Sequence, residues 1–405
     1  MRIVHTSDWH LGRTLHGIDL LGHQAVYLDH LVALVRAEHV DTVLVSGDVY
    51  DRAIPPVEAV ALLADALARL SGTATVVVTP GNHDSAIRLG FGAAIMREGV
   101  HLRTSVGDVG VPVVLSDEHG PVLVHALPYL DPDTVRVALA DCDDGADVPP
   151  PLPRSHEAVM AAAMRRVRAD VLARSGGAGL RPRSVVMAHA FVLGGQGSDS
   201  ERDIRVGGVD SVPAGVFDGA DYVALGHLHG AQRLAPGPRA VGDVPAELPM
   251  PVLQYSGSPL AYSFSERHHR KGSMLLTLGA DGLQGEPELV PAPVPRRLTQ
   301  FEGTLQEVLL DAEHRADWVK VIVTDDARPS ELVPRVRAVL PHALVVEHRP
   351  VRRESVQLAA VTAARDPLEV AAEFVEHVTG ARPTAPEQAV LRRAYDDVRA
   401  DGRSA

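Results

Sequence analysis

The chain has 405 residues, enough for two or three domains and a sizeable core. Lys and Arg total 39 against 52 Asp and Glu, a formal net charge of −13, which disfavours a protein that coats nucleic acid along its length but not an enzyme that handles it at one site. Hydrophobic residues at 45% and charged residues at 22% exclude a disordered chain, and the single cysteine, Cys142, excludes an intrachain disulfide or a Cys-based zinc site.

No uninterrupted apolar run reaches the ~18 residues of a membrane span, and the MRIVHTSDWHLG start lacks the pattern of a secretory signal. These features give the expectation of a cytoplasmic protein. Lys271 and Lys320 are the only lysines; every other base is arginine. A GC-rich genome explains that bias, and selection for bidentate phosphate grips is the alternative.

In chain order, Ile3 to Ser7 reads as a buried strand, Leu20 to Glu38 as a helix and Thr42 to Ser46 as a strand. Val57 to Leu70 has helical spacing and Ala74 to Thr79 is again a strand. This strand–helix–strand order argues for an α/β domain. Further strands are predicted at Val122 to Ala126, Ser184 to Ala188, Tyr222 to Leu225 and Val252 to Tyr255, with a helix from Ser155 to Arg174. Asp131 to Pro153 and Ala235 to Pro251 read as loops. The Pro-rich stretch Val290 to Arg297 marks a boundary. Beyond it come a strand at Trp318 to Val323, a helix at Pro329 to Leu340 and a strand at Ala343 to Glu347. Two helices close the chain, near Pro367 to Val378 and Pro386 to Arg399.

Five polar clusters each follow one of the apolar runs: Asp8-x-His10, Gly47-Asp48, Gly81-Asn82-His83-Asp84, His189, and Gly226-His227-x-His229. Singly each is weak. An Asp after a strand is usually a turn or cap residue, and a lone His is usually hydrogen-bonded filler. His268 and His269, in the run SERHHRKG, read as solvated surface. Together the five clusters offer two Asp, one Asn and four His at the carboxyl ends of strands, where α/β sheets place their chemistry. Carboxylate, amide and imidazole without thiolate suit Mn, Fe or Zn better than a calcium cage. A pair of divalent ions needs a shared carboxylate between them, and Asp48 is the natural bridge. Such a pair activates water and neutralises phosphate oxygens, so the reaction expected is phosphoester hydrolysis without a covalent intermediate. The leaving oxygen needs a proton; His83 can supply it and Asp84 can orient His83.

D-x-H, GD, GNHD, a strand-terminal His and GHxH in that order resemble the calcineurin-like metallophosphoesterases, over Asp8 to His229. The wording HTSDWHLGR, SGDVYDR, TPGNHD and QYSGSPLAYSFSE is narrower and resembles the SbcD-type bacterial nuclease subunits, relatives of the Mre-type DNA-repair nucleases. The resemblance implies a four-layer αββα sandwich over residues 1–290, a small α/β capping domain over 291–350, and C-terminal helices over 351–405 that dock on an SbcC-type coiled-coil ATPase. It implies one ion, most readily Mn2+, held by Asp8, His10, Asp48 and His229, and a second held by Asp48, Asn82, His189 and His227. His83 becomes the catalytic acid. Archaeal and eukaryotic relatives have a second histidine where Asp51 stands here. The implied activity is metal-dependent hydrolysis of DNA, as a double-strand exonuclease and a single-strand or hairpin endonuclease in repair, recombination and replication, gated by ATP through the partner. The implied assembly is a homodimer within a heterotetramer, nucleoid-associated, dimerising through helices at Val57 to Leu70 and Ile87 to Arg97.

The tail supports a docking role independently. Leu368, Ala371, Phe374, Val375 and Val378 form one helical stripe, and Val390, Leu391, Ala394, Tyr395 and Val398 another. These helices either cover each other or the second domain, or dock on a partner. Two other functions share the motifs: a small-molecule or cyclic-nucleotide phosphodiesterase, and a DNA-end scaffold with a decayed site. The second predicts missing ligands, and none is missing. By region, residues 296–405 carry 16 basic and 18 acidic residues, so residues 1–295 hold −11 of the net charge. Weak DNA binding by the chain alone is therefore expected, with the grip coming from metals, local arginines and a partner.

Overall fold

The computed structural model describes residues 1–96, 99–141, 149–175, 181–201, 211–238, 244, 248–350 and 366–401. Cys142 and the implied boundary near residue 350 lie outside the described residues or at their edge. The chain divides into two compact units, Met1–Pro295 and Arg296–Ala405.

The first unit is built on two six-stranded sheets. In one, the parallel strands Arg2–Thr6, Thr42–Ser46, Thr75–Thr79 and Val100–Leu102 lie side by side, and the antiparallel pair Gly272–Gly279 and Gly282–Pro291 extends the Arg2–Thr6 edge. In the other, Gly120–Ala126, Arg183–His189, Tyr222–Gly226 and Val252–Tyr255 run parallel, with Val113–Asp117 and Gln232–Leu234 as antiparallel edges.

Strand period explains the layering. Alternate residues of a strand face opposite ways. Val4, Val43, Val45, Val76 and Val78 pack with Tyr27, Leu28, Leu31, Leu63 and Leu70 of helices Leu21–Ala37 and Val57–Ser71. Their neighbours Ile3, Leu44 and Val77 point the other way, into a core shared with Val122, Val124, Val185, Met187 and Tyr222 of the second sheet. On that sheet's far side, Leu123, Val186, Val223 and Leu225 pack with Val159, Met164, Val167 and Val171 of helix His156–Ser175. The order helix, sheet, sheet, helix is the expected αββα sandwich. Burial on both faces is why these strands read as continuous apolar runs rather than alternating ones.

One expectation is corrected, and one hairpin is new. No helix spans the described part of Ile87 to Arg97: a single turn at Ala86–Leu89 is followed by a 3₁₀ turn at Ala93–Ile95, because Gly90 and Gly92 interrupt it, Gly92 at φ 81°. Arg97 is outside the described residues. The Gly272–Gly279 and Gly282–Pro291 hairpin was not expected, since the polar Gln284–Glu288 stretch hides the strand pattern of its outer member.

The second unit has a three-stranded parallel sheet, Leu298–Gly303, Trp318–Val323 and Ala343–His348 in that order. Helices Leu305–Leu310 and Leu332–Val339 pack on it through Leu305, Val308, Leu332 and Val336. Helices Pro367–Thr379 and Ala385–Asp401 contact each other. Phe374, Val378, Val390 and Val398 nonetheless remain exposed.

Candidate metal centre

Each expected cluster sits just past the carboxyl end of a parallel strand. Asp8 and His10 follow Arg2–Thr6, Asp48 follows Thr42–Ser46, and Asn82 and His83 follow Thr75–Thr79. His189 ends Arg183–His189 from the facing sheet, and His227 and His229 follow Tyr222–Gly226. The two sheets thus bring all the expected donors to one place.

The backbone there is held in unusual shapes. Asp8, His10, Asp48 and His227 all have positive φ, at 55°, 45°, 48° and 104°. Non-glycine residues rarely adopt such angles, and they persist where surrounding structure over-determines them. Two glycines permit the close approach: a Cβ on Gly81 would lie 2.2 Å from Asp48 Oδ1, and one on Gly226 would lie 1.8 Å from the Ser46 carbonyl oxygen.

The donors fall into overlapping groups, Asp8 with His10 and His229, Asp8 with Asp48 and His189, and His10 with Asp48 and His83, so that a lobe around His10 and His229 and a lobe around His189 are joined through Asp8 and Asp48. Donor atoms of Asp8, His10 and His229 lie within 4.8 Å of one another. The His10 and His229 Nε2 atoms are 3.1 Å apart. That is about the separation of two adjacent imidazole ligands, each ~2.1 Å from one ion. In the other lobe Asn82 Oδ1 lies 2.9 Å from His189 Nε2 and 3.3 Å from His227 Nδ1. Asp48 Oδ2 stands 3.6 Å from His10 Nε2 and 3.5 Å from His189 Nε2, between the lobes. The Asn82 side-chain nitrogen is buried without a partner, as expected if its oxygen alone is used.

Charge adds to the fit. Burial pushes the Asp8 carboxyl up to about 6, against the pull of His189 and His229. Burial also opposes ionisation of Asp48, but His189, His10 and His83 outweigh it and hold that group well below the usual range. Burial lowers His189, yet Asp48 overcomes this and raises it to about 9, so a proton there balances the carboxylates. A divalent cation does the same job without a proton. The residues present therefore suit a metal pair.

Histidine orientation is set from behind. His189 Nδ1–H donates to the Ser46 carbonyl at 3.1 Å, leaving Nε2 for the centre. His83 Nδ1–H donates to the Asp51 carbonyl at 2.8 Å, and its Nε2 faces Asp48 Oδ2 at 3.9 Å. This corrects the expectation for Asp84. Its carboxylate does not touch His83; it accepts N–H bonds from Val49, Tyr50 and Gly81, tying the Asp48 loop to the Asn82 loop. Asp51 stands 3.5 Å from His10 Nδ1 and 3.4 Å from Arg13.

Sequence reasoning missed one group entirely. Glu266 and Lys271, in the run read as solvated surface, are buried and ion-paired, at 1% and 8% exposure. Of that run, His268 is exposed and His269 half-buried. Glu266 accepts from His229 Nδ1 at 3.2 Å, and Ser200 Oγ lies 2.7 Å from the same nitrogen. The one available signal was the rarity of lysine. An ammonium has three donors in a small volume, and Lys271 Nζ gives them to Glu266, the His229 carbonyl and Ser258 Oγ.

The calcineurin-like phosphoesterase model matches residues 1–231, and the chain belongs to that family. Residues 294–379 match the SbcD-type model described as the Type 5 capsule protein repressor C-terminal domain. Among solved structures, the chain is similar to TT1561 of Thermus thermophilus, at 13% identity and TM-score 0.35 over 71% of this chain and 98% of that one. A dimetal phosphatase from Danio rerio matches at 12% identity and TM-score 0.39, covering 72% and 99%. GAP50, the anchor in the inner membrane complex of Plasmodium, matches at 8% identity and TM-score 0.37, covering 87% and 98%. The chain is accordingly a hydrolase-family protein with a cluster able to hold metal, and among the described residues no helix is long and apolar enough to cross a membrane.

Proposed function

We propose that this chain is an SbcD-like nuclease subunit that hydrolyses DNA phosphodiester bonds and works with an SbcC-type coiled-coil ATPase. The observation that carries the reading is the coexistence of a two-lobed donor cluster in Met1–Pro295 with an SbcD-type match over residues 294–379. The second unit with its SbcD-type match favours this reading over a small-molecule phosphodiesterase.

In this reading Asp8, His10, Asp48 and His229 hold one ion, and Asp48, Asn82, His189 and His227 the other, with Mn2+ the favoured occupant. Bound ions supply activation of the attacking water and neutralisation of the phosphate oxygens. The chain's own residues do the rest. Asp48 spaces the two lobes, and its Oδ1 accepts the His83 backbone N–H at 2.9 Å, which fixes the acid beside the centre. His83, anchored at Nδ1 by the Asp51 carbonyl, delivers a proton from Nε2 to the departing oxygen. Asp84 acts through the backbone, holding those two loops in register.

The apolar stripes of Pro367–Thr379 and Ala385–Asp401 are the proposed docking surface for the ATPase, through exposed Phe374, Val378, Val390 and Val398. Exposed Ile54, Val57, Val60, Ile87, Phe91 and Ile95 are the proposed dimer contact within a heterotetramer. The domain scheme is then a nuclease domain at 1–290, a capping domain at 291–350 and docking helices at 351–405, with the complex nucleoid-associated in the cytoplasm and active in DNA repair, recombination and replication. The test is a nuclease assay on blunt, hairpin and single-stranded DNA, with and without the ATPase and ATP. Mn2+-dependent cleavage of single strands by the chain alone, and ATP-dependent processing of ends with the partner, is the expected result. Hydrolysis of small phosphodiesters with no cleavage of any DNA contradicts it. Deleting residues 366–405 should abolish partner co-purification and spare single-strand cleavage.

A further inference from the structure

His229 is gripped at every polar atom that does not face the donor cluster. Its backbone N–H donates to Glu201 Oε1 at 2.8 Å. Its carbonyl accepts from Lys271 Nζ at 2.8 Å. Its Nδ1 lies 2.7 Å from Ser200 Oγ and 3.2 Å from Glu266 Oε1, and Ser200 Oγ also donates to that same carboxylate oxygen. The other Glu266 oxygen takes the Lys271 ammonium. Glu201 is itself fixed, accepting from the Ser198 hydroxyl at 2.7 Å. Two segments distant in sequence, 198–201 and 266–271, converge on this one histidine.

The consequence is a single tautomer. A carboxylate accepts only, so the proton sits on Nδ1, and the Nε2 lone pair is left pointing at His10 Nε2 and the centre. A carboxylate behind an imidazole also makes the ring a stronger donor to a metal. No such carboxylate stands behind His189, whose Nδ1 meets a backbone carbonyl instead. Glu266 is paired with Lys271 and almost wholly enclosed.

We infer that Glu266, fixed by Lys271 and Ser200, is a positioning residue that sets the metal affinity of the lobe containing His229. The inference rests on the two-ion reading above and concerns this lobe alone. Removing Glu266 by itself would strand a buried ammonium, so the informative variant is Glu266→Gln with Lys271→Met, which removes both charges at nearly constant volume. Ser200→Ala is the milder companion.

The experiment is a Mn2+ titration of the full chain by calorimetry, with the electron paramagnetic resonance signal of free Mn2+ as an independent count. Wild type should take up two equivalents. In the double variant one equivalent should weaken by about 10–100-fold, the usual effect of losing such a partner, while the other holds. In a His229→Ala background the same pair of substitutions should cost nothing further, because the residue they act through is gone. Unchanged affinity for both equivalents, or an equal loss with and without His229, overturns the inference and leaves the two-ion reading standing. A wild-type chain that binds no Mn2+ overturns both. If the double variant fails to fold, Ser200→Ala decides: a smaller weakening of the same equivalent supports the inference, and wild-type binding refutes it.

Discussion

Met1–Pro295 and Arg296–Ala405 use their apolar residues in opposite ways. In the first unit the strands that end in donor residues are buried on both faces between helices and a second sheet, and their chemistry lies at their carboxyl ends. In the second, a small sheet has its own compact core, yet the helices that follow leave Phe374, Val378, Val390 and Val398 exposed. All the metal-competent clusters found among the described residues lie in the first unit. Rigid burial suits a site that must hold charged groups against repulsion; exposed stripes suit a surface completed by something else.

Substitutions at the shared carboxylate should expose this contrast most sharply. Asp48→Ala removes the group common to both lobes, and phosphodiesterase turnover should fall by at least about 1,000-fold with loss of bound metal by mass spectrometry. Wild-type metal content in this variant would show that the lobes are independent. His83→Ala should separate binding from chemistry: metal content holds while turnover falls about 100- to 10,000-fold, the usual contribution of a positioned acid. Undiminished DNA cleavage would remove His83 from the mechanism.

Stability should divide the same way. Leu44 is fully buried between the two sheets, so Leu44→Ala should cost about 2–5 kcal/mol in a denaturant titration. Val390→Ala, on an exposed helix face, should change stability by less than about 0.5 kcal/mol. Equal effects would mean the tail helices are covered within the chain itself.

His5 gives an effect confined to acid pH, with a sign that can be checked. It is fully buried, its Nδ1 3.0 Å from the Tyr222 hydroxyl, and burial lowers its pKa to about 3. Between that value and the ordinary 6.5, the unfolded chain binds a proton that the folded chain does not. Stability therefore falls as pH drops through this window, by up to about 1.4 kcal/mol per pH unit, and is unaffected above it. His5→Gln should flatten that part of the profile of metal-free protein. A profile identical to wild type would show that His5 is already protonated when folded.

Much of this was legible in the sequence, for identifiable reasons. Candidate donors such as Asp48 and His189 directly follow or end apolar strands, so local pattern alone locates them at strand ends. The alternation of Ile3, Leu44 and Val77 against Val4, Val43 and Val76 is invisible as alternation, because both faces are apolar; the facing-sheet arrangement came from resemblance. What failed depended on distance along the chain. Glu266 meets His229 across 37 positions and lies in a charged run whose composition reads as solvated surface. Asp84 neighbours His83 in sequence but turns back onto the Asp48 loop. Adjacent residues in a tight turn point apart, so sequence proximity gave the wrong partner.

A crystal structure of the chain soaked in Mn2+, with anomalous scattering recorded, tests the central claim most directly. Two anomalous peaks are expected, one enclosed by Asp8, His10, Asp48 and His229 and one by Asp48, Asn82, His189 and His227, with Asp48 touching both. A single peak, or peaks elsewhere with these donors still bonded to each other, would contradict the two-ion account.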